Sequence, residues 1–112
     1  MPSGLLSVDK AIRAAIANRR LVSFELDGLP RIGEPHDYGI INGVRQLFFY
    51  QTGGKSSSGA PVGWRIALLS KVSALKILER QFAGSRPAPS ARHKRWDKLI
   101  ASVSSRESEH GD

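Results

Sequence analysis

The hydrophobic period of this chain changes at Leu21, and that change restricts the folds open to it. Before Leu21, Val8, Ile12, Ala15 and Ile16 recur at helical spacing, and Ala11, Ala14 and Ala17 add helix propensity. Ser7 is placed to cap this helix, Asp9 to meet its positive end, and Arg19-Arg20 to close its last turn. After Leu21 the period is two. Val22, Phe24 and Leu26 alternate with Ser23, Glu25 and Asp27, the pattern of a strand with one buried face.

Turn signals then divide the chain into short strands. Asp27-Gly28 and Asn42-Gly43 are hairpin dipeptides. The first leads into a strand from about Leu29 to Glu34, whose Pro30 and Pro35 predict an edge or a bend because proline donates no ladder hydrogen bond. The second joins Tyr38–Ile41 to an apolar run, Val44 to Tyr50, that suits a central strand. Residues 52 to 63 have the composition of a mobile loop, and Trp64–Leu69 and Val72–Leu78 read as two further strands. Gly84 to Ser90, with Pro87 and Pro89, reads as a strap. Beyond it Trp96, Leu99, Ile100 and Val103 fall at i, i+3, i+4 and i+7, predicting a short amphipathic helix before a frayed tail from Ser104.

These elements predict an α+β, mainly β fold: an N-terminal helix, a five-stranded small barrel of the Sm-like or SH3-like kind, and a short C-terminal helix. Barrel closure would remove the edges that so small a sheet otherwise presents. Residues 1–84 form the helix and barrel in this reading, and residues 85–112 the basic Pro-containing strap, helix and tail. A chain of 112 residues, 40% apolar, can bury one modest core. It has no cysteine, which excludes disulfides, thiolate metal sites and a thiol nucleophile. No apolar run approaches the ~18–20 residues of a membrane span, and the N-terminus lacks the pattern of a signal peptide, so the cytoplasm is the expected compartment.

Charge narrows the partners. The net charge is +7, with 11 Lys and Arg against 6 Asp and Glu in residues 1–84, and 6 against 1 in residues 85–106. Such a balance attracts polyanions. Arg31, Arg45 and Arg65 lie in or beside strands that also carry Tyr38, Tyr50 and Trp64. Guanidinium forks that bind phosphate, next to rings that stack bases, are what recognition of a nucleotide or a single strand requires. Arg95 and Lys98 flank Trp96 and are further candidates for nucleic-acid contact.

Other motifs are weaker. Gly53-Gly54-Lys55-Ser56 imitates a phosphate loop, but Phe49 stands where the leading glycine belongs and Ser-Ser-Ser-Gly-Ala-Pro is a poor helix start. Lys55 is kept only as a candidate nucleic-acid contact. His36, His93 and His110 are too scattered to hold a metal, and no cofactor is expected. Glu34 and His36 share a strand face and could form a general-base pair. A hydrogen-bonded strand end is preferred, because no nucleophile or second carboxylate is placed by the sequence, and no catalytic residue is assigned.

The order of these signals resembles a known family. A helix ending in Asn18-Arg19-Arg20 is followed by a strand, an Asp-Gly turn, Arg31, Glu34-Pro35-His36 and Tyr38-Gly39. A hairpin into an apolar strand, a loop, Trp64-Arg65 and a last strand leading to Phe82 complete the series. Over residues 7 to 82 this resembles the WYL domain, a bacterial ligand-sensing module with an Sm-like barrel. The family's Trp-Tyr-Leu signature would fall on Arg45-Gln46-Leu47, so only Leu47 is kept, and Lys71-Val72 replaces its usual Arg-Ile. WYL domains typically follow a winged-helix DNA reader, and this chain would be a free-standing or divergent member.

The resemblance implies a pocket for nucleic-acid-derived anions, with Arg31, His36, Tyr38 and Arg65 as its residues and Gln46 at a former aromatic position. The expected function is therefore a non-enzymatic, regulatory binding module for a nucleotide or single-stranded nucleic acid. In it Arg31 and Arg65 would capture the anion, Tyr38 would stack and His36 would hydrogen-bond. The alternative is a protein-interaction module that docks on a regulatory partner or a second copy of itself.

Overall fold

The structure, a computed structural model, describes residues 4–55, 62–84, 86 and 96–103, with side chains from Ser7 onward. Helix α1 spans Gly4–Asn18 and is followed by strands β1 (Arg20–Leu26), β2 (Leu29–Ile41), β3 (Val44–Gly54) and β4 (Gly63–Leu68). A 3-10 turn, Leu69–Lys71, leads to β5 (Val72–Gln81), and β6 (Lys98–Ser102) is the last described element. The fold is mainly β, one antiparallel sheet ordered β4-β3-β2-β1-β5, with β6 added beside β2.

The alternation read at β1 is what the core uses. Val22, Phe24 and Leu26 are buried, and with Tyr38, Leu47, Phe49, Ala67 and Val72 they form the inner face of the sheet. Helix α1 covers that face with Ile12, Ala15 and Ile16. Both hairpins turn where expected, with positive φ at Asp27 and Gly28 and again at Asn42 and Gly43. That geometry matches the twist of the strands that it joins.

Several boundaries differ from the expectation. The helix begins before Ser7, so Asp9 sits inside it and is buried instead of lying in its first turn. Arg19 and Arg20 lie past its end. Arg19 adopts a left-handed conformation (φ 53°), and the last carbonyls are met from β5 and just beyond it: Gln81 Nε2 donates to Asn18 O, and the Phe82 N–H to Arg19 O. The two strands expected between Leu29 and Ile41 are one. Pro35 does not interrupt β2, because it stands where the neighbour along one edge changes: β1 pairs with Leu29–Gly33 and β6 with Asp37–Ile40.

The C-terminal helix is corrected to a strand over the described residues. Lys98–Ser102 pairs with β2, and the Val103 N–H donates to His36 O at 2.7 Å. The free stretch of β2 edge offers these residues a ladder, and that tertiary pairing overrides a local pattern that also satisfied a helix. The sheet is open among the described residues, with β4 and β5 at its two ends, so the closed barrel is not seen there. Most of the 85–95 strap and the tail lie outside the described residues. Among the described residues no helix is long and apolar enough to cross a membrane.

Gly39 fixes the place of β6. A Cβ there would meet the Lys98 carbonyl oxygen, and it would lie 2.7 Å from the Trp96 ring. Neither can give way without moving the strand. Gly39→Ala is therefore expected to destabilise the fold by about 1–3 kcal/mol and to speed amide exchange over residues 98–103 more than in β1. Urea unfolding and hydrogen exchange check this, and unchanged protection of β6 would contradict it.

Candidate functional site

The expected site residues fall into three places. Arg31 and Arg65 meet at one end of the inner face. Arg31 lies opposite Phe24 in the β1–β2 register, and Arg65 opposite Phe49 in the β3–β4 register, so both occupy the phase of core residues. Arg31 is only 4% exposed. Its Nη1 donates to Gln51 Oε1 and its Nη2 to the Leu26 carbonyl, both at 3.3 Å, and its buried Nε has no hydrogen-bond partner among the described residues.

Gln51 holds this arrangement in place. Its Nε2 donates to the carbonyls of Gly53 and Lys55, each at 3.0 Å, which leaves Oε1 to face Arg31. The Lys55 N–H closes the same end by donating to Pro30 O at 2.7 Å, with the residue itself exposed. Burial, and then the charge of Arg65, lower the pKa of Arg31 from its ordinary value, while Asp27 opposes the shift. A guanidinium nevertheless stays protonated in proteins. Arg31 is thus a buried cation whose direct hydrogen-bond partners are neutral. Burial of a lone ion costs on the order of several kcal/mol, so an anion brought to it would meet a charge already stripped of water.

His36, Tyr50 and Trp64 gather on the outer face. Trp64 stacks on Phe48 (4.9 Å, 7°) and meets Tyr50 edge-on at 5.3 Å. Glu34, opposite Tyr50, accepts two hydrogen bonds from Arg86 at 2.6 and 3.0 Å, and the guanidinium lies 4.1 Å above the Tyr50 ring. His36 is fully buried, with its ring against Trp64 and Phe82. The backbone N–H of Arg86 donates to Nε2 at 3.1 Å, which makes Nε2 an acceptor. The ring proton therefore sits on Nδ1 and is donated to the Glu34 carbonyl at 2.9 Å. In this cluster His36 and Glu34 secure the start of the strap.

Tyr38 and Arg45 lie under α1. Tyr38 is fully buried, and its hydroxyl donates to Asp9 Oδ1 at 2.6 Å. Arg45 Nη1 donates to the same carboxylate oxygen at 3.0 Å and to the Tyr38 hydroxyl oxygen at 3.1 Å. Lys98 is exposed on β6, on the same side of the molecule as Arg45. Gln46 stands apart, half-buried between Gly39 and Leu68. Arg95 lies outside the described residues.

Three contributors were missed. Gln51 extends the phase of Leu47 and Phe49, and a polar residue on a core phase was a readable signal. Asp9 falls on the stripe of Ile12 and Ile16, which was equally readable. Arg86 reaches Glu34 from 52 positions away, and no local pattern announces that. Comparison of the chain with protein-family models, with curated proteins and with solved structures finds no match in any of the three.

Burial first, and then the hydrogen bond to Asp9, raise the Tyr38 phenol above its ordinary pKa of 10.0. Because the folded pKa is the higher one, the stabilisation is complete below about pH 10 and is lost as pH rises through the folded value. Tyr38→Phe should cost about 1.5–3 kcal/mol at neutral pH and flatten the alkaline loss of stability. Urea titrations between neutral pH and pH 11 check it, and parallel alkaline limbs for the two proteins would contradict it.

Proposed function

We propose that this chain is a non-enzymatic binding module for an anionic ligand, a nucleotide or a single-stranded nucleic acid, of the regulatory kind that the WYL resemblance implies. The observation that carries the reading is Arg31: a buried guanidinium with no carboxylate on it among the described residues, beside a second arginine. The other cations engaged at these sites are treated differently. Arg13 and Arg45 pair with Asp9, and Arg86 pairs with Glu34.

The strand order supports a small-barrel reading as well. A four-strand meander, a 3-10 turn and a fifth strand returning beside β1 give the connectivity of a small SH3-like barrel. In this account a phosphate is captured by Arg31 and Arg65, with Gln51 orienting Arg31 and Lys55 at the rim. Tyr38 and His36 lie apart from this site, and their polar atoms are engaged within the fold. Tyr50 and Trp64, on the outer face of β3 and β4, offer rings to a strand that passes over the β4 edge.

Fluorescence anisotropy of labelled single-stranded DNA, RNA and a labelled nucleotide, at low and physiological salt, tests this. The wild-type chain should bind with an affinity that falls as salt rises. Arg31→Ala with Arg65→Ala, with folding checked by circular dichroism, should weaken binding at least about tenfold. Binding unchanged in that variant would clear this end of the sheet of the role. Absence of binding, with a dimer in solution, would favour the protein-interaction reading.

A further inference from the structure

A cleft of about 400 Å³ lies between α1, β3 and β6, lined by Asp9, Arg13, Arg45, Lys98, Leu99 and Ile100. Its size is within the range of small-molecule sites, roughly 300–1,000 Å³. Among the described residues Asp9 is the only acidic one in the lining, and its oxygens are already engaged. Oδ1 accepts from Tyr38 at 2.6 Å and from Arg45 at 3.0 Å, and Oδ2 accepts from Arg13 at 3.2 Å. The carboxylate therefore orients two guanidinium groups rather than offering itself to a ligand.

Among the described residues, three cations set against that one carboxylate leave the lining at a net +2. Among the described residues, Arg13 donates through Nε alone and Arg45 through Nη1 alone. The remaining N–H groups of both, and the ammonium of Lys98, have no partner among the described residues. They converge from three separate elements, which random solvation of a basic surface does not require. The rest of the wall is apolar: Ile100 is half-buried and Leu99 is 49% exposed. An apolar wall beside unengaged, pre-oriented cationic donors suits a ligand with an anionic head and an apolar body.

We propose that this cleft is a second binding site, for a small organic anion such as an aryl phosphate or an aromatic carboxylate, formed jointly by Arg13, Arg45 and Lys98 over Leu99. It is independent of the Arg31–Arg65 end of the sheet. Because Lys98 and Leu99 belong to β6, the occupant ties the C-terminal strand to α1 and β3. Ligand binding and β6 docking then reinforce each other, as linkage requires.

The test uses backbone-amide NMR of the full chain with phenyl phosphate and benzoate as probes. Inorganic phosphate serves as the head-only control and benzyl alcohol as the body-only control. Saturable shifts are expected at Arg13, Arg45 and Leu99, with phenyl phosphate binding at least about fivefold more tightly than inorganic phosphate. Arg13→Gln with Lys98→Gln, both at exposed positions, should weaken it at least about tenfold. Arg31→Ala with Arg65→Ala should leave it unchanged, and hydrogen exchange over β6 should slow when the probe is bound. The proposal is overturned by any of four results. These are no saturation by about 10 mM probe, equal affinity for inorganic phosphate, full affinity in the Arg13/Lys98 variant, or loss in the Arg31/Arg65 variant.

Discussion

One extra residue in β2 determines which face of the sheet the candidate side chains at the two ends of that strand occupy. In the β2–β3 register Pro35 stands opposite Phe49 and Asp37 opposite Phe48, so His36 is the unpaired residue of a bulge. Arg31 and Pro35, odd-numbered, share the inner face, and without the bulge Tyr38 would point outward. The one-residue shift returns Tyr38 to the core phase, opposite Leu47. A single irregularity thus places Arg31 inside at one end of β2 and Tyr38 inside at the other. The other edge of the same strand is divided between β1 and β6 at Pro35, the one residue there with no N–H to leave unsatisfied.

Charge is arranged around that strand in two ways. Buried carboxylates hold some cations: Asp9 orients Arg13 and Arg45, and Glu34 anchors Arg86 over Tyr50. Arg31 is instead held by an amide and a carbonyl, which fix its direction without neutralising it. The first arrangement stabilises the fold and presents donors at its surface. The second leaves a desolvated positive charge with no carboxylate partner among the described residues, and the proposed anion supplies that counterpart. Both follow from a chain in which basic residues exceed acidic ones and most of the inner face is apolar.

The parts of the fold legible in the sequence are those set by near neighbours. Val22, Phe24 and Leu26 declared the inner face of β1, and Asp27-Gly28 and Asn42-Gly43 declared their turns. The apolar run before Tyr50 declared a central strand. What escaped depends on distant pairing. Trp96, Leu99, Ile100 and Val103 satisfy a helical period, yet the open stretch of β2 edge recruits them as a strand. Pro35 looked like a break because its neighbours across the sheet were invisible from the chain alone. Of the candidate residues, Arg31 and Arg65 were named from the sequence, and they lie near each other in the structure. The roles of Gln51 and Asp9 were missed, although each is a polar residue on an apolar phase.

Arginine side-chain NMR of the full chain tests most directly whether Arg31 is a buried cation held for an anion. Its Nε–H, which has no acceptor among the described residues, should resonate apart from the solvated arginines and exchange slowly with water. Titration with a nucleotide should then move that resonance saturably, ahead of those of Arg13, Arg45 and Arg86. A slowly exchanging Arg31 signal that stays fixed while nucleotide or oligonucleotide binds elsewhere would contradict the account.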